Sequence, residues 1–175
     1  MSELDARLDE VLVGGQRPVL VELAEPDPDW PQRFSDHRDR IVAVLGGVQV
    51  AHIGSTAVPG LAAKPVVDVQ LVVDDLDAIV DRLVGAGYAL RVREPGHRVV
   101  QWPAPDAANV HLHLAGDPAL AERLRFRDRL RADPVARQRY EDAKRALAGR
   151  TWPDVNHYAE AKGPVIRAIL VEPSA

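Results

Sequence analysis

The segment His52–Val73, HIGSTAVPGLAAKPVVDVQLVV, sets a Gly-Ser pair, a Gly/Pro-containing connection and a Lys-Pro before an apolar run that holds one carboxylate. The β-branched run 66–73 predicts a strand, VQVAHI over 48–53 predicts another, and 54–65 reads as the loop between them. Side chains alternate along a strand, so Val66, Asp68, Gln70 and Val72 share one face while Val67, Val69, Leu71 and Val73 share the other. A lone acid on an apolar strand is costly to bury unless it is hydrogen-bonded, paired or bound to a cation. Asp68 is therefore either a site residue or a structural acceptor for the backbone N–H groups of the loop.

Outward from this segment, PVLVEL over 18–23 predicts a short strand. EPDPDWPQRF opens a helix, with Asp29 as its cap and Trp30, Phe34, Ile41 and Leu45 recurring at helical spacing until Gly46-Gly47. Asp74 and Asp75 are caps for a helix carrying Leu76, Ile79, Val80 and Leu83 to an end near Gly85. Strands are expected around 87–93, 97–102 and 108–114. The last third is helical, with Asp117-Pro118, Asp133-Pro134 and Asp154 each in cap position. This order predicts one α+β (mixed α/β) domain over 1–175, a small mixed sheet flanked by helices with a helical C-terminal third, and loose ends at 1–16 and 173–175.

The chain has 175 residues, no cysteine and a net charge of −4. Its length supports a core without staples, and the missing thiols remove disulfides, zinc-thiolate sites and thiol catalysis. The acidic start MSELDARLDE is no secretory signal, and no apolar run approaches membrane-spanning length, so a cytoplasmic protein without a membrane partner is expected. The negative balance argues against broad nucleic-acid binding through phosphate neutralisation.

Four further stretches carry polar groups in patterned positions. GSTAVPG offers Gly54, Ser55 and Gly60 for close approach to an anion, but Leu61 after Gly60 excludes a Walker A loop. In NVHLHL, Val110, Leu112 and Leu114 face one way and His111 and His113 the other, where two imidazoles can converge on one ligand or metal ion. On a helical wheel, DPALAERLRFRDRLR puts Arg123 and Arg127 inside the apolar sector of Leu120, Leu124, Phe126 and Leu130, with Arg125 and Arg129 pointing away. Tyr140/Lys144 and Tyr158/Lys162 repeat a Tyr-x-x-x-Lys spacing that puts each lysine along its tyrosine's apolar row. Both pairs are open to a snorkelling or a substrate-facing role.

The stretches HIGSTAVPGLAAKPVVDV, HLHL, LRFRDRLRADP, YEDAK and YAEAKGPVI resemble the GrpB family, also called UPF0157, from about residue 18 to 171. The resemblance implies a nucleotidyltransferase-like fold of the polymerase-β-like superfamily, whose shared element is a Gly-Ser turn followed by an acid-x-acid strand; Gly54-Ser55 and Asp68 match it. It implies transfer of a nucleotidyl or related phosphoryl or adenylyl group to a small molecule, with a nucleoside triphosphate as substrate and a divalent ion (Mn, Zn, Ni or Mg). In that reading Gly54, Ser55 and Thr56 hold phosphates, Lys64, Arg127 or Lys144 balance their charge, and Asp68, His111 and His113 are catalytic. Asp68, His111, His113 and His52 would ligate the metal; Gln70, Tyr140, Tyr158 and Lys162 would complete the substrate surface. Gln70 departs from the pattern, because it stands where the second acid belongs and a neutral amide is a poor Mg²⁺ ligand. The alternative is a non-catalytic module that binds a nucleotide or another anionic metabolite.

Overall fold

A computed structural model describes residues 2–172. The apolar face of the central strand decides what packs where. Val67, Val69, Leu71 and Val73 of β3 (Val67–Val73) are buried with Val110 and Leu112 of β6 (Ala108–Leu114) and Val100 of β5 (His97–Trp102). Over them lie Ile41 of α2 (Trp30–Leu45) and Leu76, Val80 and Leu83 of α3 (Leu76–Gly85). Each such side chain contributes roughly 1.5–3 kcal/mol on full burial, so this layer fixes the sheet.

With β2 (Gln49–Ile53) and β4 (Ala89–Glu94) the sheet has five strands in the order β2-β3-β6-β5-β4. The β3–β6 pair is parallel and the other pairs are antiparallel. The fold is thus α+β with a mixed sheet. A separate two-stranded ribbon joins β1 (Val19–Leu20) to β7 (Thr151–Trp152). The other face of the main sheet meets α4 (Pro118–Ala132), which belongs with α5 (Pro134–Leu147), α6 (Val155–Ala161) and α7 (Gly163–Val171) to the helical C-terminal third. A second apolar cluster under these helices joins Val58 and Leu61 of the loop to Leu130, Tyr140 and Ile169.

The helix starts follow the expected chemistry at Asp75, Asp117, Asp133 and Asp154, whose carboxylates each accept from a backbone N–H of the first turn. Asp29 differs: its side chain makes no capping bond, and Pro31 in the first turn removes one of the donors a cap would serve. The expected loose end at 1–16 is corrected. Residues Glu3–Val11 form α1, closed by a reciprocal Ser2–Asp5 capping box, and Leu8 and Leu12 are buried against Val92 and Val99. The other expected end, 173–175, lies outside the described residues. Among the described residues no helix is long and apolar enough to cross a membrane.

Candidate functional site

Gly54 and Asp68 meet across the start of the β2–β3 connection. Gly54 has φ +71°, and a Cβ there would lie 2.3 Å from Asp68 Oδ2. Only glycine permits that approach, which is the physical reason a Gly-Ser turn accompanies this acid. Asp68 Oδ1 accepts from Asn109 Nδ2 at 2.9 Å, and His111 Nε2 lies 3.8 Å away. Burial pushes the Asp68 carboxyl up, but His111, Asn109 and the charge of Lys64 together outweigh it and hold the pKa down at about 2. The carboxylate is ionised, not sealed by backbone donors, and its side chain keeps 28% exposure.

Asp68 opens onto a cavity of about 200 Å³ that it shares with Ser55, Thr56, Lys64, His111, Lys144, Tyr158 and Lys162. All three lysines of the chain, Lys64, Lys144 and Lys162, therefore converge from the loop, from α5 and from the α6–α7 junction. Lys144 is buried and donates to the Ala62 carbonyl. Burial and the neighbouring Lys162 lower its pKa to about 7, and burial lowers Lys162 to about 8. The Tyr158 ring lies under Lys162 and Lys64, 4.5 and 5.7 Å from their Nζ atoms, and Tyr140 lies 5.0 Å from Lys144 Nζ. Lys144 is buried and does not reach solvent past its neighbours, while Lys162 is half-buried at the cavity wall. Beside this cavity lies a second of about 1030 Å³, which shares Lys64, Val66, Asn109 and Val155 with it and is also lined by Arg17, Trp102 and the Arg91–Asp154 ion pair.

Other expected site residues are held elsewhere. His52 pairs with Val69, so it projects to the face opposite Asp68; there it stacks on Phe34 at 4.5 Å and bonds Thr56 Oγ1 at 3.0 Å. Burial lowers its pKa to about 4. Gln70 is buried and donates to the Leu120 carbonyl at 3.3 Å, away from the cavity. Arg127 donates from Nη1 to the His52 carbonyl and from Nε to Asp128, a brace between α4 and β2. Tyr140 packs edge-on against Phe126 in the second apolar cluster but stays beside the cavity, with Ser55 as its side-chain partner and Lys144 and Lys162 over its ring; burial raises its pKa to about 12. Arg129 does not point away as the wheel suggested, but pairs with Asp133 at 3.1 Å.

His113 is separated from Asp68 by strand register. Asp68 pairs with Asn109, Gln70 with His111 and Val72 with His113. His113 is buried instead against Asp117 at 2.5 Å and stacks on His97 at 4.3 Å. Burial lowers the pKa of His97, His111 and His113. Sequence reasoning missed His97 and Asn109. Asn109 carried one usable signal, its place two residues before His111 on the same strand face.

A family model described as GrpB protein matches residues 20–172. This chain belongs to the GrpB family. Among GrpB-like relatives, a UPF0157 protein of Streptomyces coelicolor is 48% identical, covering 90% of this chain and 87% of the relative, and one of Halalkalibacterium halodurans is 42% identical over 98% and 92%. A protein named dephospho-CoA kinase from Mycolicibacterium paratuberculosis is 32% identical over 84% of this chain, which covers 44% of that protein. The crystal structure of the conserved protein GrpB from Enterococcus faecalis matches with a TM-score of 0.67 and 23% identity, covering 85% of this chain and 97% of that one. The Cid1 poly(U) polymerase matches at TM-score 0.50 and 10% identity, over 91% of this chain and 51% of the polymerase. This chain therefore has the nucleotidyltransferase-like fold.

The two-metal centre implied by that fold does not fit the GrpB residues present here. Asp68 is one carboxylate facing three lysines, and the neutral Gln70 is turned under α4 toward Leu120. Two divalent ions need several oxygen ligands and cannot share that space with ammonium groups. Among the described residues the one group able to hold a metal ion is His97, His111 and His113, which excludes Asp68.

Proposed function

We propose that this GrpB protein binds a phosphorylated small molecule, a nucleotide or related anionic metabolite, without a two-metal transfer centre. The observation that carries this reading is the convergence of Lys64, Lys144 and Lys162 with Ser55 and Thr56 on one cavity that contains a single acid, Asp68. Ammonium groups desolvated beside one another are costly, and an anion relieves that cost with charge-assisted hydrogen bonds. A ligand of this kind completes the cavity electrostatically.

Size supports a division of labour. Whole-ligand pockets run to roughly 300–1,000 Å³. The lysine cavity, at about 200 Å³, suits a phosphate or diphosphate, and the adjoining cavity of about 1030 Å³ suits the rest of the molecule. Lys64 and Asn109 line both and would stand at the junction.

A thermal-shift and calorimetric screen in EDTA tests the proposal with sulfate, pyrophosphate, ATP and dephospho-CoA, the last two suggested by the kinase name of one relative. A ligand present at 100 times its Kd stabilises by about 2.7 kcal/mol. The expected result is metal-independent stabilisation by pyrophosphate or a nucleotide that disappears in Lys162→Met. Stabilisation that requires Mg²⁺ would favour metal-dependent transfer instead. No response to any phosphorylated compound overturns the reading.

A further inference from the structure

The three imidazoles on the Asp68 face of the sheet pose a proton-counting problem. His113 Nδ1 lies 2.5 Å from Asp117 Oδ2 and His97 Nδ1 lies 3.0 Å from Glu94 Oε2. Carboxylates only accept, so both Nδ1 atoms carry the proton and both Nε2 atoms are left with lone pairs. His113 Nε2 is buried with no hydrogen-bond partner among the described residues, in a side chain that is 2% exposed. His97 Nε2 faces His111 Nδ1 at 3.2 Å, while His111 Nε2 faces Asp68 Oδ1 at 3.8 Å. If His111 protonates toward Asp68, two lone pairs oppose each other at 3.2 Å; if it protonates toward His97, a lone pair faces a carboxylate. The second arrangement gives His97 Nε2 a donor in His111, and leaves His113 Nε2 as the one nitrogen of the three rings that is buried without a partner among the described residues.

We propose that His97, His111 and His113 form a site for a transition metal ion of the Zn²⁺ type, adjoining the anion cavity through His111 but not using Asp68, the carboxylate position at which the fold family holds its metals, as a ligand. The ligand atoms are His97 Nε2, His111 Nδ1 and His113 Nε2, and one atom from each of the three residues lies within 4.8 Å of the others. Two nitrogens bound to zinc at about 2.0–2.1 Å with a tetrahedral angle are about 3.3–3.4 Å apart. The 3.2 Å separation of His97 Nε2 and His111 Nδ1 is already close to that edge. Binding requires the stacked His97 and His113 rings, 4.3 Å apart, to tilt so that Nε2 of His113 comes inward.

The surroundings match a metal centre. Each ring turns its other nitrogen to a carboxylate, Glu94, Asp68 or Asp117, the outer partners that orient metal-bound histidines and raise their basicity. Arg123 adds one opposing charge near all three rings. Asp68 is shared with the lysine cavity, so Glu94 and Asp117 against that one guanidinium leave one negative charge beside the rings, a balance that favours a cation there. An all-nitrogen set prefers Zn²⁺, Co²⁺, Ni²⁺ or Cu²⁺ over Mg²⁺ or Ca²⁺, and three ligands leave a fourth position for water or a ligand atom.

The test uses the EDTA-treated chain titrated with Zn²⁺ by calorimetry and with Co²⁺ by visible absorption. The expected result is one ion per chain, the intense absorption of four-coordinate Co²⁺, and no heat from Mg²⁺. His97→Ala should weaken Zn²⁺ binding by about 100-fold or more, and Glu94→Gln, which only releases the orientation of His97, by about 10–100-fold. Glu94→Gln leaves the imidazoles in place and so keeps the test decisive if His97→Ala folds poorly. Lys144→Met should bind Zn²⁺ as the wild type does, so failure of the anion reading and failure of the metal site are separable. A wild type that takes no Zn²⁺, or one whose Zn²⁺ affinity is unchanged by both histidine-site variants, overturns the proposal.

Discussion

Replacing Lys144 by methionine should stabilise the ligand-free protein while abolishing anion binding. The side chain is 1% exposed, and burial together with Lys162 lowers the amine pKa from 10.5 to about 7. In the unfolded chain the amine keeps its ordinary value, so the folded state destabilises the charged form. The cost is complete below about pH 7, shrinks as pH rises toward about 10.5, and is absent above it. At about 1.4 kcal/mol per pH unit it is of order 5 kcal/mol at pH 7 and about 2 kcal/mol at pH 9. Lys144→Met keeps an apolar stem but removes the donor to the Ala62 carbonyl, at a cost of roughly 1–3 kcal/mol. The variant is therefore expected to exceed wild type by about 2–4 kcal/mol at pH 7 and to match it to within about 1 kcal/mol at pH 9.

Urea denaturation of both proteins at the two pH values, in phosphate-free buffer, reads this difference, because titrating groups that do not interact with Lys144 cancel between wild type and variant and the neighbouring Lys162 is relieved in the same direction. Sulfate is the matched ligand, since its charge is constant over the range. Binding that requires both Lys144 and Lys162 protonated weakens by up to roughly 20-fold from pH 6 to pH 8 for pKa values of about 7 and 8. Lys144→Met should lose the binding altogether. Wild type and variant whose stabilities move in parallel between pH 7 and 9 would refute the reasoning, because Lys144 would then not be a desolvated cation.

Three other perturbations separate the parts of the site. Gly54→Ala sets a Cβ 2.3 Å from Asp68 Oδ2 at φ +71°, and should cost at least about 1–2 kcal/mol in denaturant titrations besides displacing the carboxylate. Arg127→Ala should destabilise by about 1.5–3 kcal/mol through the lost bond to the His52 carbonyl, with sulfate affinity unchanged, whereas the exposed Arg125→Ala should stay within about 0.5 kcal/mol of wild type. Asp68→Asn removes the one acid from the lysine cavity and should tighten sulfate by about 1–2 kcal/mol in calorimetry; weakened binding would instead mean that a cation bridges Asp68 to the ligand.

Local chemistry was legible in the sequence where one element decides the outcome. The strand at 66–73, the paired faces of β3 and β6, and the caps at Asp75, Asp117, Asp133 and Asp154 follow from residue spacing alone, and the structure has them. The first turn of the chain was not legible. Its acidic residues read as a solvated tail, yet Ser2 and Asp5 close a capping box and Leu8 and Leu12 supply the apolar row that docks on β4 and β5. A short amphipathic helix carries too few apolar positions to stand out until the surface it covers is known.

Partner choice failed for a different reason, which is that it depends on register between elements. His111 and His113 are equivalent by alternation on β6, and nothing within NVHLHL separates them. The parallel pairing of β3 with β6 puts Asn109 opposite Asp68, so His111 is one side-chain step along the same face and His113 two steps, about 13 Å from the start at roughly 3.3 Å per residue. The antiparallel pairing of β5 with β6 then sets His97 opposite His113, which turns a two-histidine motif into a three-histidine cluster. Likewise, each Tyr-x-x-x-Lys pair is ambiguous alone, because a lysine on an apolar row can reach solvent past its neighbours. Helix packing brings Lys144 and Lys162 to the same loop that carries Lys64, and closes the way out for Lys144. Solvent access no longer accounts for the buried Lys144, and under the proposed function an anionic ligand would supply the counter-charge that Asp68 alone does not.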